Sequence, residues 1–90
     1  MKSEKMPLKE MKRSFKEYIL TEIKRDDIVG DLAGDIKRDP SFPNKTKSRL
    51  ACRKYLIQKA VCKHVIDAFE EAYMDYQVEE YQAWCRRRGM

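Results

Sequence analysis

Ninety residues with 20 Lys+Arg against 15 Asp+Glu, a formal net charge of +5, 42% apolar residues, three Gly and three Pro describe one small domain. A chain this short builds a single core and has no room for a large cleft between domains. No apolar run approaches the ~20 residues of a membrane span, and no charged-then-apolar leader opens the chain.

Charged residues make up 39% of the chain, yet apolar side chains recur at helical spacing and aromatics reach 10%, a folded pattern rather than a disordered one. Cys52, Cys62 and Cys85 are odd in number and lack CxxC spacing, so they read as reduced thiols of a cytoplasmic protein. Few breakers and no β-branched alternation predict an all-α chain.

In chain order, Leu8, Met11, Phe15, Tyr18, Ile19 and Ile23 share an arc of roughly 140° when projected as a helix. Two starts are open for this first helix: Pro7, tolerated at the first helical position, and Ser14, which forms a capping box with Glu17. Asp26 or Asp27 caps a second helix over 27–39, whose Ile28, Val29, Leu32, Ala33 and Ile36 share one side. Pro40 ends it, and Ser41-Phe42-Pro43-Asn44 forms a turn with Phe42 placed to plug the core. Asn44 or Thr46 is the expected cap of helix three.

Between Lys47 and Trp84 no Gly or Pro intervenes, and a break is expected near Gln58 to Ala60 because one helix of that length does not suit so small a domain. In the last helix Val65, Ile66, Ala68, Phe69, Ala72, Tyr73 and Tyr76 fill an arc of about 160°, opposite Asp67, Glu70, Glu71 and Asp75. Beyond Gln77 the pattern weakens, and residues 85–90 read as a fraying basic end.

The run Ile28-Val29-Gly30-Asp31-Leu32-Ala33, followed by Asp35, Asp39, Phe42 and Pro43, resembles the YozE-type SAM-like domain family. Phe15 with Leu20, then Tyr55-Leu56, and finally Phe69, Ala72, Tyr73 and Tyr76 extend the similarity over roughly Phe15 to Gln77, with Tyr73 where the family has Trp. The resemblance implies a compact SAM-like bundle of four to five helices, found in small bacterial proteins and mobile elements. It carries over no catalytic residues and no cofactor. The chain then divides into a basic extension over 1–13, the helical domain over 14–77, and a helix extension with a basic tail over 78–90.

Asp27, Asp31, Asp35 and Asp39 recur every four residues and form a carboxylate ridge on helix two. Such a ridge can hold a hard cation, but acids near a helix start answer its dipole, and later ones can meet Lys37, Arg38 or helix-three cations. No metal is therefore expected. Gly30 and Gly34 read as points of close approach by a neighbouring helix. His64 follows Cys62 by two residues, which turns the side chains about 200° apart on a helix, so they neither chelate an ion nor form a nucleophile–base pair. A partly buried, hydrogen-bonded His64 is the expectation.

Charge alternates along the chain: +4 over 1–25, −3 over 26–43, +7 over 44–64, −6 over 65–85 and +3 over 86–90. Lys9, Lys12, Arg13 and Lys16 fall within about 100° on helix one, and Lys45, Lys47, Arg49, Arg53, Lys54, Lys59 and Lys63 form an acid-free basic segment that makes no single stripe. The charge layout and the absence of catalytic signatures predict a non-enzymatic protein–protein interaction module without cofactor or membrane contact, docking through Asp27, Asp31 and Asp35 or through the terminal aromatics Tyr81 and Trp84. The alternative is nucleic-acid binding through Lys9, Arg13, Lys16, Lys45, Lys47, Arg49, Arg53 and Lys54. Whether the chain is a monomer or a weak homo-oligomer is left open.

Overall fold

The computed structural model describes residues 6–59 and 62–89. Among these, a single 3-10 turn at Leu8–Glu10 precedes four α-helices: α1 (Phe15–Leu20), α2 (Ile28–Lys37), α3 (Arg49–Gln58) and α4 (Lys63–Arg87). The described residues contain no strand. At ~1.5 Å per residue, the 25 residues of α4 account for most of the 40 Å long axis, and the other helices pack along it.

Both candidate starts of the first helix leave a trace, but they do not join. The turn after Pro7 stops at Met11, whose backbone is extended (φ −70°, ψ 129°), and α1 begins after Ser14. Ser14 closes the capping box: its hydroxyl accepts from the Glu17 amide at 3.2 Å, and its own amide donates to Glu17 Oε1 at 2.8 Å. The break has a physical cause in α4, because the amides of Lys12 and Arg13 donate to Glu80 Oε1 instead of to carbonyls four residues back. The continuous basic stripe of Lys9, Lys12, Arg13 and Lys16 expected on helix one is therefore not formed.

Asp27 caps α2, with Oδ1 accepting from the Val29 and Gly30 amides at 3.0 Å each. Gly30 is needed there for space: a Cβ would fall 1.8 Å from the Arg25 carbonyl oxygen. The close approach is thus by the connection leading into α2, not by a neighbouring helix, and a Cβ at Gly34 would make only an ordinary 3.5 Å contact with Arg38. After α2, Asp39 Oδ1 accepts from the Ser41 amide at 3.0 Å, and the turn delivers Phe42 into the core.

Helix α3 starts later than expected and is capped by Ser48, not by Asn44 or Thr46. Long-range bonds explain this. The Thr46 carbonyl accepts from the Phe15 amide at 3.1 Å and the Lys47 carbonyl accepts from the Tyr73 hydroxyl at 2.6 Å, which holds the lead-in extended. The expected break agrees with the end of α3 at Gln58; Ala60 lies outside the described residues.

Phe15 sits at the centre of the core, with ring centroids of Tyr18, Phe42, Phe69, Tyr73 and Tyr76 between 5.2 and 6.4 Å away. Val29, Leu32, Ala33 and Ile36 of α2 close one side. Two of the buried phenols are satisfied by backbone carbonyls, Tyr76 donating to Arg13 O at 2.6 Å and Tyr73 to Lys47 O, while Tyr18 donates to Glu22 Oε1 at 3.3 Å. Beyond Gln77 the helix does not fray at Cys85 as expected. It runs through Arg87 and stops where Gly89 turns left-handed (φ 76°) and its amide reaches Arg86 O at 3.1 Å. Met90 lies outside the described residues.

Candidate functional site

The carboxylate ridge of α2 is divided by its neighbours. Asp27 Oδ2 accepts from Arg25 Nη2 at 2.7 Å and from Nε at 3.1 Å, and this pair, with the two amides it caps, holds its carboxyl below the usual range. Asp35 meets the exposed Arg38 at 2.6 Å. Asp39 accepts from the Tyr55 hydroxyl at 2.6 Å, which is the main reason its carboxyl also lies low, with Lys59 Nζ at 4.0 Å. Asp31 is exposed and makes no ion pair with any described residue.

Between the end of α2, the turn, α3 and the start of α4 lies a cleft of ≈ 190 Å³. Leu32, Ile36, Phe42, Leu56 and Val65 line it with apolar atoms, while Asp35, Asp39, Tyr55 and Lys59 bring polar groups to it. Lys59 also lies over the Tyr55 ring, 5.6 Å from its centroid. Small-molecule sites run to about 300–1,000 Å³, so this cleft has room for no more than a single side chain. The sequence showed the acids but not the cleft, which exists only once α3 and α4 are packed together.

Much of the basic charge is answered inside the molecule. Arg49 grips Glu70 through two bonds of 2.7 Å, and Arg53 adds a third at 3.0 Å. Arg13 pairs with Glu80 at 2.8 Å and Glu79 at 3.5 Å, and Lys63 with Asp67 at 3.5 Å. Lys9, Lys16, Lys45, Lys47 and Lys54 form no ion pair with described residues, but they are spread over the 3-10 turn, α1, the connection from α2 to α3, and α3. Three of the eight residues expected to bind a polyanion, Arg13, Arg49 and Arg53, are thereby committed to carboxylates of α4.

The terminal aromatics part company. Trp84 is only 6% exposed, beside Tyr81 (centroids 5.7 Å apart) and under the Arg88 guanidinium at 4.6 Å, so it is removed from the expected docking surface. Tyr81 keeps 38% exposure and lines an open groove of ≈ 570 Å³ with Met6, Leu8, Val78 and Gln82. Between the two ends lies a residue the sequence reading missed. Glu80 is 3% exposed, and burial raises its carboxyl, but the Arg13 side chain and the Arg13 and Lys12 amides outweigh this and hold it below the ordinary range. Carrying the projection of α4 past Gln77 would have found it, since Glu80 and Trp84 fall on the same side as Tyr73 and Tyr76.

His64 is exposed in the first turn of α4, as is the N-cap residue Cys62, so the expected partly buried histidine is not formed. The helix starts at Lys63 and turns His64 away from the core. Cys52 is buried, which pushes its thiol up to about 11 and leaves it unreactive. Among the described residues no group of three or more His, Cys, Asp or Glu could hold a metal ion, and no helix is long and apolar enough to cross a membrane.

A four-helix arrangement with a Phe-plugged turn and a long closing helix defines an all-helical SAM-like bundle. The family model for the YozE SAM-like fold matches residues 14–78, and the chain belongs to this family. The match leaves out Met6 to Arg13 and the last turns of α4, which are joined to each other through Glu80. No curated protein matches the chain, and no solved structure matches it.

Proposed function

We propose that the chain is a non-enzymatic, cytoplasmic protein–protein interaction module whose α2 face captures a basic, partly apolar segment of another protein. The reading rests on one juxtaposition: the exposed carboxylate of Asp35 on the rim of a single-side-chain cleft with an apolar lining, and the exposed Asp31 one turn before it on α2. An arginine or lysine of the partner lays its aliphatic stem along Leu32, Ile36 and Leu56 while its cationic head meets Asp35, taking the place of the exposed Arg38. Asp31, one turn away, adds to the attraction during encounter, which raises the association rate more than the affinity. The separate positions of Cys52, Cys62 and Cys85, which form no disulfide, support the cytoplasmic assignment.

Affinity capture from the native host tests the reading. The chain with Asp31→Lys and Asp35→Lys, confirmed folded by circular dichroism, recovers at least about tenfold less partner than the parent, as loss of ~1.4 kcal/mol requires. Equal recovery by both removes the α2 face, and loss of the partner after nuclease treatment transfers the function to nucleic-acid binding.

A further inference from the structure

The outward side of α4 carries what a solvated helix face does not need. Ala68, Phe69, Ala72, Tyr73, Tyr76, Glu80 and Trp84 are buried on the inner side. Projected on the same helix, Glu71, Met74, Val78, Tyr81, Cys85 and Arg88 fall within about 100° on the opposite side. Met74 is 66% exposed and Val78 53%. These six positions alternate three and four residues apart, the spacing of a seam between two helices. Leu8, exposed on one flank beside Val78 and Tyr81, widens the apolar strip.

We propose that a second copy of this chain docks on this face, with the two α4 helices antiparallel and crossing near Val78 and Tyr81. The charges at the ends of the strip select this partner and this direction. A two-fold axis between positions 78 and 81 sets Val78 against Tyr81 of the second copy, Met74 against its Cys85, and Glu71 against its Arg88, each pair occurring twice. Parallel pairing instead stacks Glu71 on Glu71 and Arg88 on Arg88. Along the centre the strip is bordered by Gln77 and Gln82, so the antiparallel arrangement brings no like charges together there. Both end charges also have contacts within the chain, Glu71 with Arg25 at 3.6 Å and Arg88 over Trp84, and the pairing across the seam adds to them. The seam is shorter than the three to four heptads of an autonomous coiled coil, so the association is weak and concentration-dependent. It uses a different face from the α2 site and stands or falls separately.

Cross-linking reads both partner and direction. In a Cys62→Ser background, Met74→Cys places a thiol opposite Cys85 of the second copy, and mild oxidation then gives a covalent dimer on a non-reducing gel. Adding Cys85→Ser abolishes it. Within one chain the two positions are about 16 Å apart along the helix, beyond the reach of a disulfide. In sedimentation equilibrium, Val78→Glu, at an exposed position, weakens self-association at least about tenfold, and Val78→Leu preserves it. The proposal is overturned by a parent chain that remains monomeric up to ~1 mM, by a Met74→Cys variant that does not cross-link, or by cross-linking through Cys85 alone, which signals parallel helices.

Discussion

Phe15 and Glu80 are both almost sealed from solvent, yet five aromatic rings surround the first and three N–H donors surround the second. The aromatic centre joins α1, the turn after α2, and α4 through contacts that need no charge. The Glu80 clasp joins the segment before α1 to the far end of α4 through one carboxylate. Apolar burial spreads its contribution over many atoms, whereas the clasp concentrates it in a group that titrates. The aromatic centre is thus indifferent to pH, and the clasp between the two extensions is not.

The largest effect expected is from Phe15→Ala, which empties the centre of the cluster and costs about 3–5 kcal/mol. Denaturant unfolding followed by circular dichroism should show the whole bundle, clasp included, losing stability together; retention of the parent midpoint would break the proposed hierarchy. Next, Glu80→Ala removes charge-assisted bonds and leaves the Lys12 and Arg13 amides without their acceptor, at about 2–3 kcal/mol. Hydrogen exchange should accelerate first at those two amides, with the core amides following only to the extent that global stability falls.

The same contrast can be sharpened by acid. Because the folded pKa of Glu80 lies below the ordinary value of 4.5, its stabilisation is complete above that pH and is lost as pH falls through the lower folded value. Trp84 fluorescence, reporting on the end of α4, should therefore change on acidification before the far-ultraviolet helix signal does, and simultaneous loss of both would contradict a separate clasp. The smallest effect expected is from Tyr55→Phe, which withdraws the hydroxyl from Asp39. The Asp39 carboxyl should titrate at higher pH in an NMR titration, with little change in melting temperature.

Local rules made much of the bundle legible. The periodicity of α2 and α4, the Ser14–Glu17 box, the Asp27 cap and Phe42 as a plug all follow from spacing and turn chemistry. What escaped depends on distant partners. Ser48 takes over the cap of α3 because the Thr46 and Lys47 carbonyls are engaged by Phe15 and Tyr73, which no window around Thr46 contains. The break at Met11 is likewise imposed by Glu80 from the other end of the chain. At the candidate site, Asp31 and Asp35 were visible as a ridge, but the cleft beside Asp35 requires Leu56 and Val65 from two further helices.

The placement of α4 after the three helices it covers orders events during synthesis. Phe69, Tyr73 and Tyr76 supply three of the five rings around Phe15, and the phenols of Tyr73 and Tyr76 anchor the lead-ins to α3 and α1. While the first three helices emerge from the ribosome, α1 and α2 can pack on each other, but the side of Phe15 that α4 covers stays open. Acquisition of the native bundle therefore waits for translation to pass Tyr76, several seconds after Phe15 appears at ~5–20 residues per second, and until then the nascent chain shows its greasy side to whatever chaperone is nearby.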